Sequence, residues 1–324
     1  MSDLLTVAVL SDIHYASAAE QARGDDYELK AVSRSALRLL LRIYRRYFWL
    51  RYPLRQNHLL DQFLEKVGAV NCVVANGDFS CDSGFVGLSD DAAAGSAREC
   101  LTKLRNRFGD AFHATFGDHE LGKFSFVGAR GGMRLASFHR AIELGLKPFW
   151  RVELGQYVLI GVASSLIALP VLNSEILAEE KAEWENLRAE QLRKICIAFS
   201  ELKPGQRVLL FCHDPTALPF LWREEIVRGK LAQVEQTIIG HLHSNLIFWE
   251  SRILAGMPPI RFLGNSCKKM STALREARCW KSFHVRLCPS LAGIELLKDG
   301  GFLTLELDAD AKRPLQIARH RIHR

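Results

Sequence analysis

Aspartates and histidines recur along this chain in five short clusters: Asp12-Ile13-His14, Gly77-Asp78, Gly117-Asp118-His119-Glu120, His213 and Gly240-His241-Leu242-His243. Carboxylate and imidazole donors together suit Mn²⁺, Fe, Zn²⁺ or Mg²⁺, and the absence of cysteine from the series argues against a structural thiolate zinc site. Two cations roughly 3.5–4 Å apart can clamp a phosphate and stabilise both oxygens of an in-line displacement. Two such cations need a shared carboxylate, and Asp78 is the natural bridge. A lone Asp-x-His is more often a solvated turn, and a lone His213 a satisfied core or surface histidine; the ordered recurrence of all five favours a site.

Each cluster follows a run expected to be a strand. Short apolar, β-rich runs cover Leu4 to Leu10, Ala69 to Ala75, Phe112 to Phe116, Tyr157 to Ala163, Arg207 to Cys212, Thr237 to Gly240 and Ile260 to Leu263. Helix-period segments alternate with them: Leu29 to Trp49, Asn57 to Val67, Ala94 to Phe108, Gly132 to Leu144, Glu179 to Leu202 and Leu218 to Arg228. The alternation predicts an α/β sandwich, in which side chains at the carboxyl ends of several strands meet in one crevice. The Gly/Ser/Asp-rich segment Ser80 to Ser96 reads as a surface loop, and the basic stretch Lys312 to Arg324 as a frayed end.

The order D-x-H, G-D, G-N-H-[DE], H and G-H-x-H resembles the signature of the calcineurin-like metallophosphoesterases, across residues 12 to 243. The resemblance implies a pair of β-sheets flanked by helices and two divalent metal ions, with Mn²⁺ the first choice. It implies Asp12, His14, Asp78 and His243 around one metal, and Asp78, Asp118, His213 and His241 around the other. His119 would contact the scissile phosphate and protonate the leaving group, with Glu120 orienting it and raising its pKa. One position departs from the pattern: Asp118 stands where the family has Asn. The exchange adds a negative charge, which tightens a hard cation and weakens attraction for phosphate oxygens.

The remaining features bear on substrate and setting. The 324 residues, 48% hydrophobic, suit one domain with ample core, here residues 1–310 followed by a basic tail at 311–324. Eight cysteines without CxxC pairs fit free thiols in a reducing cytoplasm. Met1 to Ala8 lacks the charged region of a signal peptide, and the apolar run Tyr157 to Leu172 reads as a buried strand, too short and too interrupted to cross a membrane. A net charge of +7 favours anionic partners.

An insertion at about 25–57 carries Arg34, Arg38, Arg42, Arg45 and Arg46 at helical spacing, with Tyr44, Tyr47, Phe48, Trp49 and Tyr52, and no acidic residue between Glu28 and Asp61. Arg38, Arg42, Arg45, Phe48 and Trp49 are therefore candidates for an anionic membrane or lipid; the plainer reading is an amphipathic helix with a solvated arginine face, and nucleic acid is disfavoured. A second basic region runs from Gly264-Asn265-Ser266 through Lys268, Lys269, Arg275 and Arg278 and is a candidate for a second phosphate, as a diphosphate substrate requires. Overall length, the Gly117-to-Lys123 variant and the basic insertion resemble the chlamydial-type UDP-2,3-diacylglucosamine pyrophosphatases of lipid A biosynthesis. That resemblance implies cleavage of a lipid-linked nucleotide sugar to 2,3-diacylglucosamine 1-phosphate and UMP, at the inner membrane periphery. A soluble phosphodiesterase or phosphatase for nucleotides or phosphoproteins, and a metal-poor scaffold, are the alternatives.

Overall fold

The computed structural model describes residues 4–123, 132–260, 262 and 265–324. Ten strands form two sheets: β1 (Leu4–Leu10), β2 (Cys72–Asn76), β3 (Phe112–Thr115), β4 (Phe149–Leu154), β5 (Tyr157–Val162), β6 (Arg207–Cys212), β7 (Val234–Ile239), β8 (Val285–Leu287), β9 (Gly301–Asp308) and β10 (Gln316–Arg321). One sheet has the order β10-β9-β1-β2-β3, the other β4-β5-β6-β7-β8. Strands β1, β2 and β3 run parallel, as do β5 through β8, while β9, β10 and β4 are antiparallel to their neighbours.

Strand alternation sorts the core into layers. Val7, Val9, Val74, Leu159, Leu209, Phe211, Ile238 and Leu305 fill the space between the two sheets, whereas Ala8, Leu10, Val73, Ile160 and Leu210 share a core with residues of the flanking helices, including Asn57–Lys66, Asp91–Phe108 and Lys181–Ser200. The result is helices, sheet, sheet, helices: the double-sheet sandwich that the motif series implies. Two polar contacts lock the sheets together, Trp150 Nε1 donating to Ala114 O (2.9 Å) and Asn76 Nδ2 to Ile238 O (3.3 Å). The Trp150 indole lies flat over Gly161, where a Cβ would sit 2.1 Å from its ring. Only glycine fits beneath it.

Several elements differ from the sequence reading. The stretch Lys312 to Arg324 is no frayed end, because Gln316–Arg321 pairs as β10 with Gly301–Glu306 of β9. Its Gln-Ile-Ala-Arg-His-Arg sequence is mostly exposed and carries Arg319 and Arg321, charges that keep an edge strand from pairing with other chains. The segment Ser80 to Ser96 is largely buried and ordered: Asp90 caps the helix Asp91–Phe108 by accepting from Ala92 N and Ala93 N, and Ser83 and Ser96 both donate to buried Glu20. The expected helix Leu29 to Trp49 divides into a 3₁₀ turn, Glu28–Ala31, and an α-helix, Ser35–Tyr47. Between them Val32 is buried in extended conformation, and its carbonyl accepts from the Arg38 guanidinium (2.6 Å). Leu218 to Arg228 likewise breaks at extended Glu224. The strand expected over Ile260 to Leu263 lies partly outside the described residues. None of the eight cysteines is disulfide-bonded, and no helix among the described residues is long and apolar enough to cross a membrane.

Candidate metal centre

All five clusters leave the carboxyl ends of parallel strands: Asp12 and His14 after β1, Asp78 after β2, Asp118 after β3, His213 after β6 and His241 and His243 after β7. The parallel direction brings these ends to one edge of the sandwich, with two sheets contributing side chains from opposite sides. Five of these residues, Asp12, His14, Asp78, His241 and His243, have positive φ between 49° and 61°. The backbone must turn sharply as each strand ends, and conformations of this kind persist only where the surroundings enforce them. Here the enforcement is visible: Asp12 N donates to Gly77 O, His14 N to Asp78 O, and His241 N to the Asp12 carboxylate (3.1 Å).

The seven candidate ligands fall into two groups, within each of which the ligand atoms lie within 4.8 Å of one another: Asp78, Asp118, His213 and His241 in one, Asp12, His14 and His243 in the other. Asp78 also groups with His14 and His119, so its carboxylate stands between the two sets. His213 Nε2 is 3.2 Å from Asp78 Oδ2, 3.3 Å from Asp118 Oδ1 and 4.0 Å from Asp12 Oδ1. His241 Nδ1 is 2.9 Å from Asp118 Oδ1, His243 Nε2 is 3.3 Å from Asp12 Oδ1, and the Nε2 atoms of His14 and His243 are 3.3 Å apart.

These contacts test whether cations fit. His213 Nδ1 lies 2.5 Å from Asn76 O, which can only accept, so the ring's proton belongs on Nδ1 and its lone pair on Nε2. That lone pair faces carboxylate oxygens, and Nε2 is a buried atom without a hydrogen-bond partner. His14 repeats the pattern, with Nδ1 3.4 Å from Ser80 O and Nε2 turned to another imidazole nitrogen. Acceptors gathered on acceptors in a buried site require positive charge between them. A backbone carbonyl fixing the far nitrogen of a metal-binding imidazole is the usual supporting arrangement. The donor set fits two divalent cations.

The electrostatics divide the imidazoles into two kinds. Burial, reinforced by His119, pulls His14 down to about 4, and burial with His14 likewise holds His243 well below the ordinary imidazole range; both rings are neutral donors. Against burial, which pulls downward, Asp118 and Asp214 push His241 up to about 10. Against burial and the Asp118 charge, His119 and His213 hold the Asp78 carboxyl below the usual carboxylate range. Ser11 Oγ donates to Asp12 Oδ2 (2.6 Å), a contact that no motif announces.

His119 sits at the edge of the cluster, Nε2 3.9 Å from Asp78 Oδ2 and Nδ1 3.1 Å from Ser80 O. The orienting partner of His119 is therefore Ser80, and the role expected for Glu120 is corrected. Glu120 Oε2 accepts from Asp78 N (3.0 Å) and Gly117 N (2.7 Å), and Oε1 from Phe79 N (2.8 Å). Neighbouring residues on the helical turn Asp118–Leu121 point in different directions, so His119 faces the site while Glu120 is fully buried behind it. Glu120 clamps the Asp78 loop to the Asp118 loop.

The insertion meets the cluster through Trp49, whose ring lies 4.7 Å from that of His243. Trp49 and Phe48 are half-buried, so neither is a free lipid-facing side chain. The arginines also divide: Arg38 donates to Val32 O, Arg45 is nearly buried 3.4 Å from Glu28, and Arg42 forms an exposed pair with Asp26 (2.9 Å). Glu28 in turn pairs with Lys123, which donates to Cys81 O (2.8 Å), tying the insertion to both metal-side loops. Of the second basic region, Asn265–Arg275 is a helix; Gly264 lies outside the described residues. Lys269 pairs with Glu175 and Arg275 with Glu276, Lys268 is exposed, and Arg278 lies against Gly256.

No family model matches the chain, and no curated protein matches it. Among solved structures it is similar to a dimetal phosphatase from Danio rerio, at 14% identity and a TM-score of 0.49, over 98% of this chain and 97% of that one. It is also similar to a purple acid phosphatase from yellow lupin (Lupinus luteus) seeds, at 11% identity and 0.45 over 99% and 52% of the two chains. A metallophosphoesterase from Sphaerobacter thermophilus follows at 12% identity and 0.32, over 99% and 90%. Identities and scores this low say nothing of activity, and the chemistry is read from the side chains.

Proposed function

We propose that the protein is a two-metal phosphoester and pyrophosphate hydrolase, and that its substrate is UDP-2,3-diacylglucosamine, cleaved to 2,3-diacylglucosamine 1-phosphate and UMP at the membrane surface. The observation that carries the reaction class is the buried cluster of three carboxylates and four imidazoles whose acceptor atoms face one another. Asp12, His14, Asp78 and His243 would hold one cation and Asp78, Asp118, His213 and His241 the other, Mn²⁺ being the first choice. When bound, the cations supply Lewis-acid stabilisation of charge on the phosphate oxygens and acidify water. The chain's own contribution is positional: Glu120 fixes the backbone of the Asp78 and Asp118 loops, Ser11 fixes the Asp12 carboxylate, and Ser80 O occupies His119 Nδ1, leaving Nε2 to hold a proton for the leaving oxygen.

The lipid part of the reading rests on the surface beside the cluster. The helix Ser35–Tyr47 has no buried residue, and Leu39, Leu40, Ile43, Tyr44 and Tyr47 are all exposed, Leu40 by 62%. A second helix, Asn245–Ile253, leaves the last ligand motif with Trp249 and Ile253 each 60% exposed. Burying one large apolar side chain is worth about 1.5–3 kcal/mol, so two helices that leave theirs in water favour a partner with an apolar face. Acyl chains supply one.

Hydrolysis of bis(p-nitrophenyl) phosphate and of UDP-2,3-diacylglucosamine, with Mn²⁺ and with EDTA, tests both parts. Turnover of both in Mn²⁺ and of neither in EDTA is expected. Failure on both in Mn²⁺ overturns the enzyme, and turnover of the soluble ester alone overturns the lipid substrate.

A further inference from the structure

Where the chain leaves the insertion, it meets the segment that precedes β9. Glu295 N donates to Trp49 O (2.7 Å) and Leu296 N to Phe48 O (3.2 Å). Beside this seam lies a cleft of about 240 Å³ lined by Arg51, Tyr52, Arg55, Glu295, Lys298 and Arg324. We infer that this cleft is a second anion site, separate from the metal cluster, that takes a phosphate group.

The cations come from three distant parts of the chain, so the cleft is no solvated face of a single helix. The fold assembles it. Arg51 and Arg55 flank one aromatic ring, their Cζ atoms 5.0 and 5.3 Å from the Tyr52 centroid. Stacking fixes the guanidiniums without using their N–H donors on carboxylates. Arg55 reaches Asp25 at 3.1 Å but stays 71% exposed, while Arg51 and Lys298 have no carboxylate partner among the described residues.

The lone carboxylate in the lining does not balance them. Arg324 Nη1 pairs with Glu295 (2.5 Å), and its Nε and Nη2 donate to Ala292 O (2.8 Å) and Gly293 O (2.9 Å). That arrangement neutralises Glu295 and holds the Arg324 guanidinium rigid. The charge of Arg51, Lys298 and much of Arg55 is left uncompensated around one concavity. Cations drawn together repel, and a phosphate, with oxygens on several sides, accepts from guanidinium and ammonium donors at once. Such a group can arrive free in solution or on a lipid headgroup. Because the cleft adjoins the seam that seats Trp49 against His243, an anion bound there also fastens the insertion.

Amide hydrogen exchange on the full chain in Mn²⁺ reads this cleft apart from the metal cluster. With saturating orthophosphate, or with phosphatidylglycerol vesicles compared with phosphatidylcholine vesicles, amides in 51–58 and 293–299 should slow by roughly tenfold. Arg51→Glu/Lys298→Glu, and the neutral pair Arg51→Gln/Lys298→Gln, should abolish that slowing while hydrolysis of a soluble ester is unchanged. Slowing by orthophosphate identifies a free phosphate, and slowing by phosphatidylglycerol vesicles alone a lipid-borne one. No slowing with either, or slowing that persists in both double variants, overturns the site. The hydrolase reading is unaffected by either result.

Discussion

The ligand cluster and the insertion helix touch, through Trp49 on His243, yet they are built on opposite terms. Asp12, Asp78 and His213 are almost entirely out of solvent, and each is held by contacts from more than one loop. The helix Ser35–Tyr47 buries no residue and is held from its edges by Arg38 on Val32 O, Arg45 on Glu28 and Trp49 on the cluster. The first region holds its ligand atoms already gathered; the second has little cohesion of its own and shows apolar side chains to whatever lies outside. The proposed chemistry falls to the over-determined part, and the proposed choice of partner to the under-determined one.

That contrast can be broken at its strong end first. Asp78→Ala removes the carboxylate standing between both ligand groups. It should lower turnover of a soluble phosphodiester by at least the order of 10³-fold, with metal content falling in elemental analysis; comparable activity would remove Asp78 from the shared position. Glu120→Gln tests the clamp. Its amide nitrogen must face a backbone N–H, so a loss of about 1–3 kcal/mol is expected in a urea melt. If stability is kept while the pH profile of turnover shifts, Glu120 orients His119 after all.

Asp118→Asn should keep both metals and turnover, with affinity lowered by no more than about tenfold, because an amide oxygen can still coordinate. Loss of metal in a titration would mean that the extra charge is required. The last effect belongs to the helix: Leu40→Ser/Ile43→Ser should leave soluble-ester turnover unchanged and reduce recovery with anionic vesicles in flotation by at least about fourfold, the worth of a single buried CH₂ at about 0.8 kcal/mol. Equal recovery would make the exposed stripe irrelevant to membranes. Serine substitutions are better suited than charge reversals at Arg38 or Arg45, which hold internal contacts.

The ligand series was legible because Asp and His after apolar runs imply strand ends, and parallel strand ends converge whatever the loops between them do. The role of Glu120 was not, since adjacency in sequence to His119 says nothing of direction on a helical turn. Helical period placed Arg38, Arg42 and Arg45 near one another but could not say which would turn inward; Val32 O and Glu28 decide that, and neither carries a pattern. The antiparallel β10 was missed because an edge strand needs only one well-covered neighbour. Its polar sequence lacks the apolar alternation by which inner strands announce themselves.

The left-handed backbone at Asp12, His14, Asp78, His241 and His243 bears on which amino acids these sites can accept. Asp, Asn and His are the side-chain-bearing types that enter that conformation most readily. Coordination chemistry and backbone chemistry thus select the same residues for unrelated reasons. A Glu at position 78 could offer the same oxygens, but it would be disfavoured twice, by its reach and by its main chain. The vocabulary of the candidate metal centre is narrower than its ligand chemistry alone would require.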